Sequence, residues 1–171
     1  MRLAKIILAA CVWAYFVAGL AATLPFSAAK PVWPEGREKE WNCQAGFTAE
    51  FTGAAAKGAV LRYTGATMCR VFLNGEFFGY GPARAAHGFA RVEELPLGGR
   101  IKEGLNVLAI EVAGYNCDSF YTVRQPSFLQ AEIVAGDGRV LAATGVDGGF
   151  SVNKTIVKII ILLIFKLVKP H

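Results

Sequence analysis

The amino-acid sequence predicts one all-β domain over residues 30–150, with its strands arranged as a sandwich or a related barrel. Three observations support this fold. Short segments rich in β-branched and aromatic residues recur along the region, and turn-forming dipeptides separate them. Apolar residues between positions 30 and 150 do not repeat with the 3.6-residue period of a helix.

The first predicted strands are residues 59–63 (AVLRY) and 69–73 (CRVFL). Asn74-Gly75 follows the second strand and precedes residues 76–80 (EFFGY). An Asn-Gly pair between two such segments predicts a β-hairpin, because both central residues of a type I′ turn need positive φ.

The later strands are expected at residues 105–112 (LNVLAIEV), 128–135 and 139–143. The first of these follows Gly104 and has the alternation of a further strand. The last two flank Asp137-Gly138, which predicts a second hairpin turn.

The N-terminus has the layout of a secretory signal, with two basic residues, Arg2 and Lys5, ahead of an apolar stretch at residues 6–24. A small-x-small rule fits cleavage after Ala21 or after Ala29. Residues 1–29 are therefore interpreted as a signal peptide, and the protein is expected to be exported to the periplasm or the extracellular space. An uncleaved membrane anchor is the alternative, since the stretch approaches the ~20 residues that span a bilayer.

The net charge of +5 does not come from the predicted domain. Residues 30–147 hold 12 Lys or Arg and all 13 Asp or Glu, so the remaining bases lie toward the two ends. A basic stripe suited to phosphates is missing from this region, which argues against nucleic-acid binding.

The composition changes after Phe150. Residues 154–169 (KTIVKIIILLIFKLVK) contain no Gly, Ala or acidic residue, and the apolar run at 159–165 is too short to span a bilayer. Residues 151–171 are interpreted as a non-native or truncated end. The alternative is a basic amphipathic helix, so membrane contact is expected only through the termini.

Three cysteines, Cys43, Cys69 and Cys117, follow the predicted signal. One disulfide with a buried thiol and three buried free thiols both fit this count. Spacings of 26 and 48 residues match no zinc pattern, and no cofactor is predicted. Calcium at a loop carboxylate such as Asp118 would need more acidic ligands than the loop offers.

No catalytic residues are predicted. Only His87 in this region could serve a Ser-His-Asp arrangement, and no serine lies in a Gly-x-Ser-x-Gly turn. Glu93 and Glu94 are adjacent, so on an extended segment they point to opposite faces and cannot form the paired carboxylates of a glycosidase.

Polar and aromatic residues concentrate instead in two predicted loops, at 79–91 and 114–125. Aromatic faces combined with guanidinium, amide and carboxylate groups suit a sugar site. Packing against a neighbouring domain is the alternative. The candidate sugar contacts are Tyr80, Arg84, His87, Tyr115, Asn116, Asp118 and Tyr121.

Residues 71–84 (VFLNGEFFGYGPAR) resemble a stretch near the start of bacterial α-L-rhamnosidase-like glycoside hydrolases, in which an Asn-Gly turn precedes Gly-x-Gly-Pro-Ala-Arg. Three further segments resemble that family in the same order, and together the match spans about residues 31–146. They are 33–38 (WPEGRE), 101–109 (IKEGLNVLA) and 126–132 (PSFLQAE).

The resemblance implies an N-terminal accessory domain with a jelly-roll or galactose-binding-like β-sandwich fold. In that family the acid and base carboxylates lie downstream in an (α/α)₆ barrel, which is expected to be absent from this chain. The expected partner is then a carbohydrate, namely rhamnose-containing glycans, or the missing catalytic domain. A purely structural or interaction module, associated with a membrane through its tail, is the alternative.

Overall fold

The computed structural model describes residues 26–86 and 89–153, and these form two antiparallel sheets. His87, most of the predicted signal peptide and most of the C-terminal tail lie outside the described residues. The predicted β-sandwich is confirmed. The strands are β1 Cys43–Thr52, β2 Val60–Ala66, β3 Met68–Leu73, β4 Glu76–Gly81, β5 Glu93–Pro96, β6 Leu105–Gly114, β7 Phe128–Val134, β8 Val140–Ala143 and β9 Ser151–Asn153.

One sheet has five strands in the order β4-β3-β6-β1-β9, and the other has four in the order β5-β2-β7-β8. The chain crosses repeatedly from one sheet to the other. Three of these crossings, β2 to β3, β4 to β5 and β6 to β7, lie at the same end of the sandwich, because the register pairs Met68 with Ala113 and Cys69 with Gly81. Long loops of the last two crossings therefore meet at this end.

The core lies between the sheets and follows from the two-residue period of the strands. On β6, Leu108, Ile110 and Val112 are buried while their neighbours are less so. Phe47 of β1 faces the same interior, and so does Ile133 of β7 in the opposite sheet. Burial of this alternating set is what holds the two layers together.

Both predicted hairpins form. Asn74 and Gly75 adopt φ of 54° and 85° between β3 and β4, as a type I′ turn requires. Gly138 adopts φ of 87° between β7 and β8, where Asp137 accepts a hydrogen bond from the Arg139 N–H.

Asn74 of the first hairpin also forms a hydrogen bond with Asn106 at the start of β6. Asn74 Nδ2 donates to Asn106 Oδ1 at 2.9 Å, and Asn74 Oδ1 accepts from the Val107 N–H at 3.0 Å. The fully buried Asn106 further accepts from the Lys102 N–H and donates to the Lys102 and Gly104 carbonyls. This pair of side chains, called here the asparagine clasp, joins two segments that are 32 residues apart.

The sandwich also involves residues before position 30 and after position 150. Val32 forms a β-bridge with Leu129, and the Lys30 N–H donates to the Thr144 carbonyl at 2.9 Å. Residues 27–29 contact the side chain of Glu132. At the other end of the chain, Ser151–Asn153 pairs with the middle of β1.

All three cysteines of the described residues are free. Cys69 is buried between the sheets, and desolvation raises the pKa of its thiol to about 12. Burial also raises the pKa of Cys43. The structure has three free thiols, as one alternative expected, but only Cys43 and Cys69 are buried, and Cys117 is partly exposed.

Candidate functional site

A groove of about 350 Å³ opens at the end of the sandwich where the three sheet crossings meet. Its walls come from the β4–β5 loop, residues 82–92, and the β6–β7 loop, residues 115–127, and the end of β2 contributes to its lining. We call it the loop groove. Its polar and aromatic lining includes Thr64, Arg84, Phe89, Arg91, Tyr121, Arg124 and Gln125.

Side-chain hydroxyls fix the part of the β6–β7 loop that carries Tyr121. Ser119 Oγ accepts from the N–H groups of Tyr121 and Thr122, both at 3.0 Å. Thr122 Oγ1 donates to the Cys117 carbonyl at 2.7 Å. Serine and threonine stabilise turns in this way by replacing backbone partners. The Tyr121 ring is consequently presented by an ordered turn, although 75% of the residue is exposed.

Arg84 and Tyr121 meet across the groove. The guanidinium carbon of Arg84 lies 4.5 Å from the centroid of the Tyr121 ring. A cation–π contact at such an exposed position stabilises by about 0.5–1 kcal/mol. The contact joins the two loops, because Arg84 of the β4–β5 loop supplies the cation and Tyr121 of the β6–β7 loop supplies the aromatic face.

The groove has a basic lining. Arg91 pairs with Glu93 at 3.3 Å, and Arg124 lies 3.8 Å from Asp118. Among the described residues, no carboxylate lies within 4.0 Å of Arg84. Its guanidinium N–H groups thus remain available to oxygen acceptors of a ligand.

Large apolar side chains surround the groove and face solvent. Phe89 is 77% exposed, Phe120 is completely exposed, and Val123 is 51% exposed. Trp41 is also exposed, and the guanidinium of Arg124 lies 5.4 Å from its ring centroid. An apolar group of this kind, rimmed by charged residues, is typical of a surface that contacts a ligand or another protein surface.

The structure brings two of the seven candidate residues, Arg84 and Tyr121, together in the groove. Asp118 lies on the same loop, where its carboxylate accepts from the Arg124 N–H at 2.9 Å. Tyr80 lies on β4, outside the groove lining, with 76% of its surface exposed.

The remaining candidates lie elsewhere. Tyr115 lines a second, smaller pocket beside Arg70 and Glu111 on the outer face of the five-stranded sheet. Asn116 is buried, and its side-chain amide donates to the Lys39 carbonyl. His87 is among the residues that the structure does not describe.

Five residues of the polar and aromatic lining were not among the predicted contacts: Thr64, Phe89, Arg91, Arg124 and Gln125. Thr64 lies on β2, and the other four lie within the two predicted loops, 79–91 and 114–125. The sequence signal for these four was the composition of the loops themselves.

Two kinds of feature were not found in the described ranges, 26–86 and 89–153. No three His, Cys, Asp or Glu side chains are grouped so that they could hold a metal ion. No helix there has the length and apolar character needed to cross a membrane.

Known structures similar to this chain include enzymes and a lectin. The GH78 family rhamnosidase of Bacillus sp. GL1 shares 30% identity over 73% of this chain, with a TM-score of 0.65. The α-L-rhamnosidase of Streptomyces avermitilis, solved in complex with L-rhamnose, shares 16% identity over 73% of the chain with a TM-score of 0.54. The lectin of Pleurotus ostreatus, solved in complex with GalNAc, shares 16% identity over 78% with a TM-score of 0.53.

The lengths of these proteins differ greatly from the length of this chain. The aligned part covers 13% and 12% of the two rhamnosidases and 37% of the lectin. No family model matches the chain, and no curated protein does. The similarity therefore concerns one β-sandwich domain.

Proposed function

Since this chain is homologous to a β-sandwich domain of the GH78 α-L-rhamnosidases, we propose that it is a carbohydrate-binding accessory domain of an exported rhamnosidase-like glycoside hydrolase, not catalytic by itself. The observation that carries the proposal is the Arg84–Tyr121 pair in the loop groove. The lectin and rhamnosidase similarities support a carbohydrate ligand of the same general class.

The chemistry of the groove suits a sugar. A pyranose ring has apolar C–H faces that pack on aromatic rings such as Phe89 and Tyr121, and its hydroxyls accept hydrogen bonds from guanidinium groups. Arg84 and Gln125 supply donors, and the Gln125 carbonyl supplies an acceptor. Phe89 and Tyr121 of the groove lining are largely exposed, which suits a terminal sugar of a longer glycan.

Titration calorimetry of the full chain tests this proposal. The ligands are L-rhamnose, a p-nitrophenyl α-L-rhamnoside and a rhamnose-containing oligosaccharide, with GalNAc for comparison. We expect binding in the range of roughly 0.1–5 mM for at least one rhamnoside, about 3–5.5 kcal/mol of free energy. Flat traces for every rhamnose ligand would remove sugar binding from the proposal.

Matched variants locate the site. Arg84→Ala and Tyr121→Ala should each weaken binding at least tenfold, while thermal stability stays nearly unchanged because both side chains are largely exposed. Arg139→Ala is the control, since Arg139 is an exposed arginine at the β7–β8 turn whose one ion pair among the described residues is with Asp137. If Arg139→Ala weakened binding as much as Arg84→Ala, the effect of Arg84→Ala would come from net charge and not from the groove.

A second candidate function, bracing a separate catalytic domain, is favoured by the exposed apolar side chains around the groove. Phe120 and Val123 are aimed at solvent in the chain alone. Such a supporting role predicts that this exposed apolar surface makes the isolated chain self-associate. Sedimentation velocity of Phe120→Ser against the wild type measures it, and a wild type that stays monomeric argues against a large docking surface here.

A further inference from the structure

The N-terminal segment Ser27-Ala28-Ala29 binds to a fully buried carboxylate of the four-stranded sheet. The Ser27 N–H donates to Glu132 Oε1 at 3.0 Å and to Oε2 at 2.9 Å. The N–H groups of Ala28 and Ala29 donate to Oε2 at 3.0 and 3.3 Å. Three consecutive backbone N–H groups thus converge on one carboxylate and form an anion-binding site for it.

Few other interactions offset the free-energy cost of burying the Glu132 carboxylate. It lies in the middle of β7 with none of its surface exposed, and its nearest cation, Arg62, is 3.7 Å away. Arg62 makes a closer contact with Glu94, at 2.8 Å. A buried carboxylate is costly unless hydrogen bonds stabilise it, and here backbone N–H groups of residues 27–29 supply them.

The neighbouring residues extend the attachment. Gln130 Nε2 donates to the Ala29 carbonyl at 2.8 Å, and Thr144 Oγ1 donates to the Lys30 carbonyl at 2.7 Å. Ala29 itself is buried. Residues 27–29 are consequently part of the folded domain and not a disposable leader.

This attachment distinguishes the two cleavage sites that satisfy the small-x-small rule. A cut after Ala29 would remove all three donors from Glu132 and the acceptor from Gln130. A cut after Ala21 would leave them in place. We propose that the mature protein begins at Ala22, and that Glu132 is the anchor that makes residues 27–29 structural; the processing step rests on the export part of the proposed function.

The test expresses the full chain with its own N-terminus in an exporting bacterium and measures the intact mass of the product. We expect a product beginning at Ala22. A product beginning at Lys30 would overturn the cleavage assignment and leave export standing. A product that keeps Met1 in the cytoplasm would overturn export and the assignment together, so the two failures are distinguishable.

A pair of substitutions assigns the site independently. Ala21→Glu places a charge at the last residue before the proposed cut and should abolish processing. Ser27→Lys places a charge three residues before the rejected cut, and the exposed Ser27 side chain leaves room for it. We expect normal processing of S27K, and the opposite result for the two variants would reverse the assignment.

A third variant tests the anchor in the folded protein. Glu132→Gln leaves one acceptor oxygen for three N–H donors and turns an amide NH₂ toward them. Glu94→Gln is the control, because Glu94 also binds Arg62 but its side chain is 42% exposed. We expect a fall in the thermal midpoint at least twice as large for E132Q as for E94Q; equal falls would overturn the anchoring role.

Discussion

Replacing Asn106 with alanine should destabilise the domain more than any loop substitution nearby, because it removes the centre of the asparagine clasp. Four side-chain hydrogen bonds are lost, at 2.8–3.2 Å, with Asn74, the Lys102 N–H and the carbonyls of Lys102 and Gly104. Each such bond contributes about 0.5–1.5 kcal/mol net. Asn106 is fully buried, so its partners are not readily rehydrated.

The expected loss for Asn106→Ala is about 3 kcal/mol of unfolding free energy, or roughly 10 °C in Tm for a domain of this size. Urea denaturation followed by tryptophan fluorescence and circular dichroism measures it, with Trp33 near Phe47 as the probe of the core. Glu103→Ala is the control, since Glu103 is exposed in the same loop. A loss below about 1 kcal/mol, or no larger than that of the control, would refute the energetic importance of the clasp.

Two further predictions concern the first hairpin and the buried thiol. Gly75→Ala should lower the free energy of unfolding by about 1 kcal/mol, because φ is 85° at this position. Gly98→Ala is the control and should leave stability unchanged, since Gly98 has open space around it and no positive φ. Equal urea midpoints for the two variants would contradict the turn assignment. Burial raises the pKa of Cys69 to about 12, so the unfolded chain loses this proton from about pH 9 while the folded chain retains it. The free energy of unfolding should then fall by about 1 kcal/mol per pH unit between pH 9 and 12. Urea unfolding at several pH values measures this fall, which should be shallower in Cys69→Ala. Parallel pH profiles of the two proteins would refute the assignment of the fall to the Cys69 thiol.

The two hairpins could be predicted because their signals are local. Asn74 and Gly75 in the first turn, and Gly138 in the second, supply the positive φ values that tight turns need, whatever the rest of the chain does. Strand β6 was predictable for a similar reason, since its residues alternate between the buried face and the other face without interruption. The fold class followed from these elements together with the absence of helical periodicity.

Strands β1, β5 and β9 were not predicted. The β1 sequence CQAGFTAEFT contains Gly, Ala and Glu, which do not favour strands, and it becomes extended through ten paired positions with β6. β5 has four residues and β9 has three, too few for an alternating pattern to be recognised. In each case the strand depends on a partner that is distant in sequence.

The candidate site was predictable as a pair of loops but not as a set of contacts. Composition identified both loops that form the groove, and Arg84 and Tyr121 lie in it together. Tyr80 and Tyr115 lie elsewhere because one belongs to a strand and the other to the outer face of a sheet. Which side chains converge depends on where the sheet crossings meet, and that position follows from strand pairing between segments distant in sequence.

The positions of the first and last described segments have a mechanical consequence. Residues 27–32 are attached to the four-stranded sheet through Glu132 and Leu129, whereas β9 belongs to the five-stranded sheet. Tension applied to the two ends of the domain would therefore load opposite layers of the sandwich. β9 has only three paired positions with β1, so it should peel away first, and the sandwich would give way at its C-terminal strand before the N-terminal anchor releases.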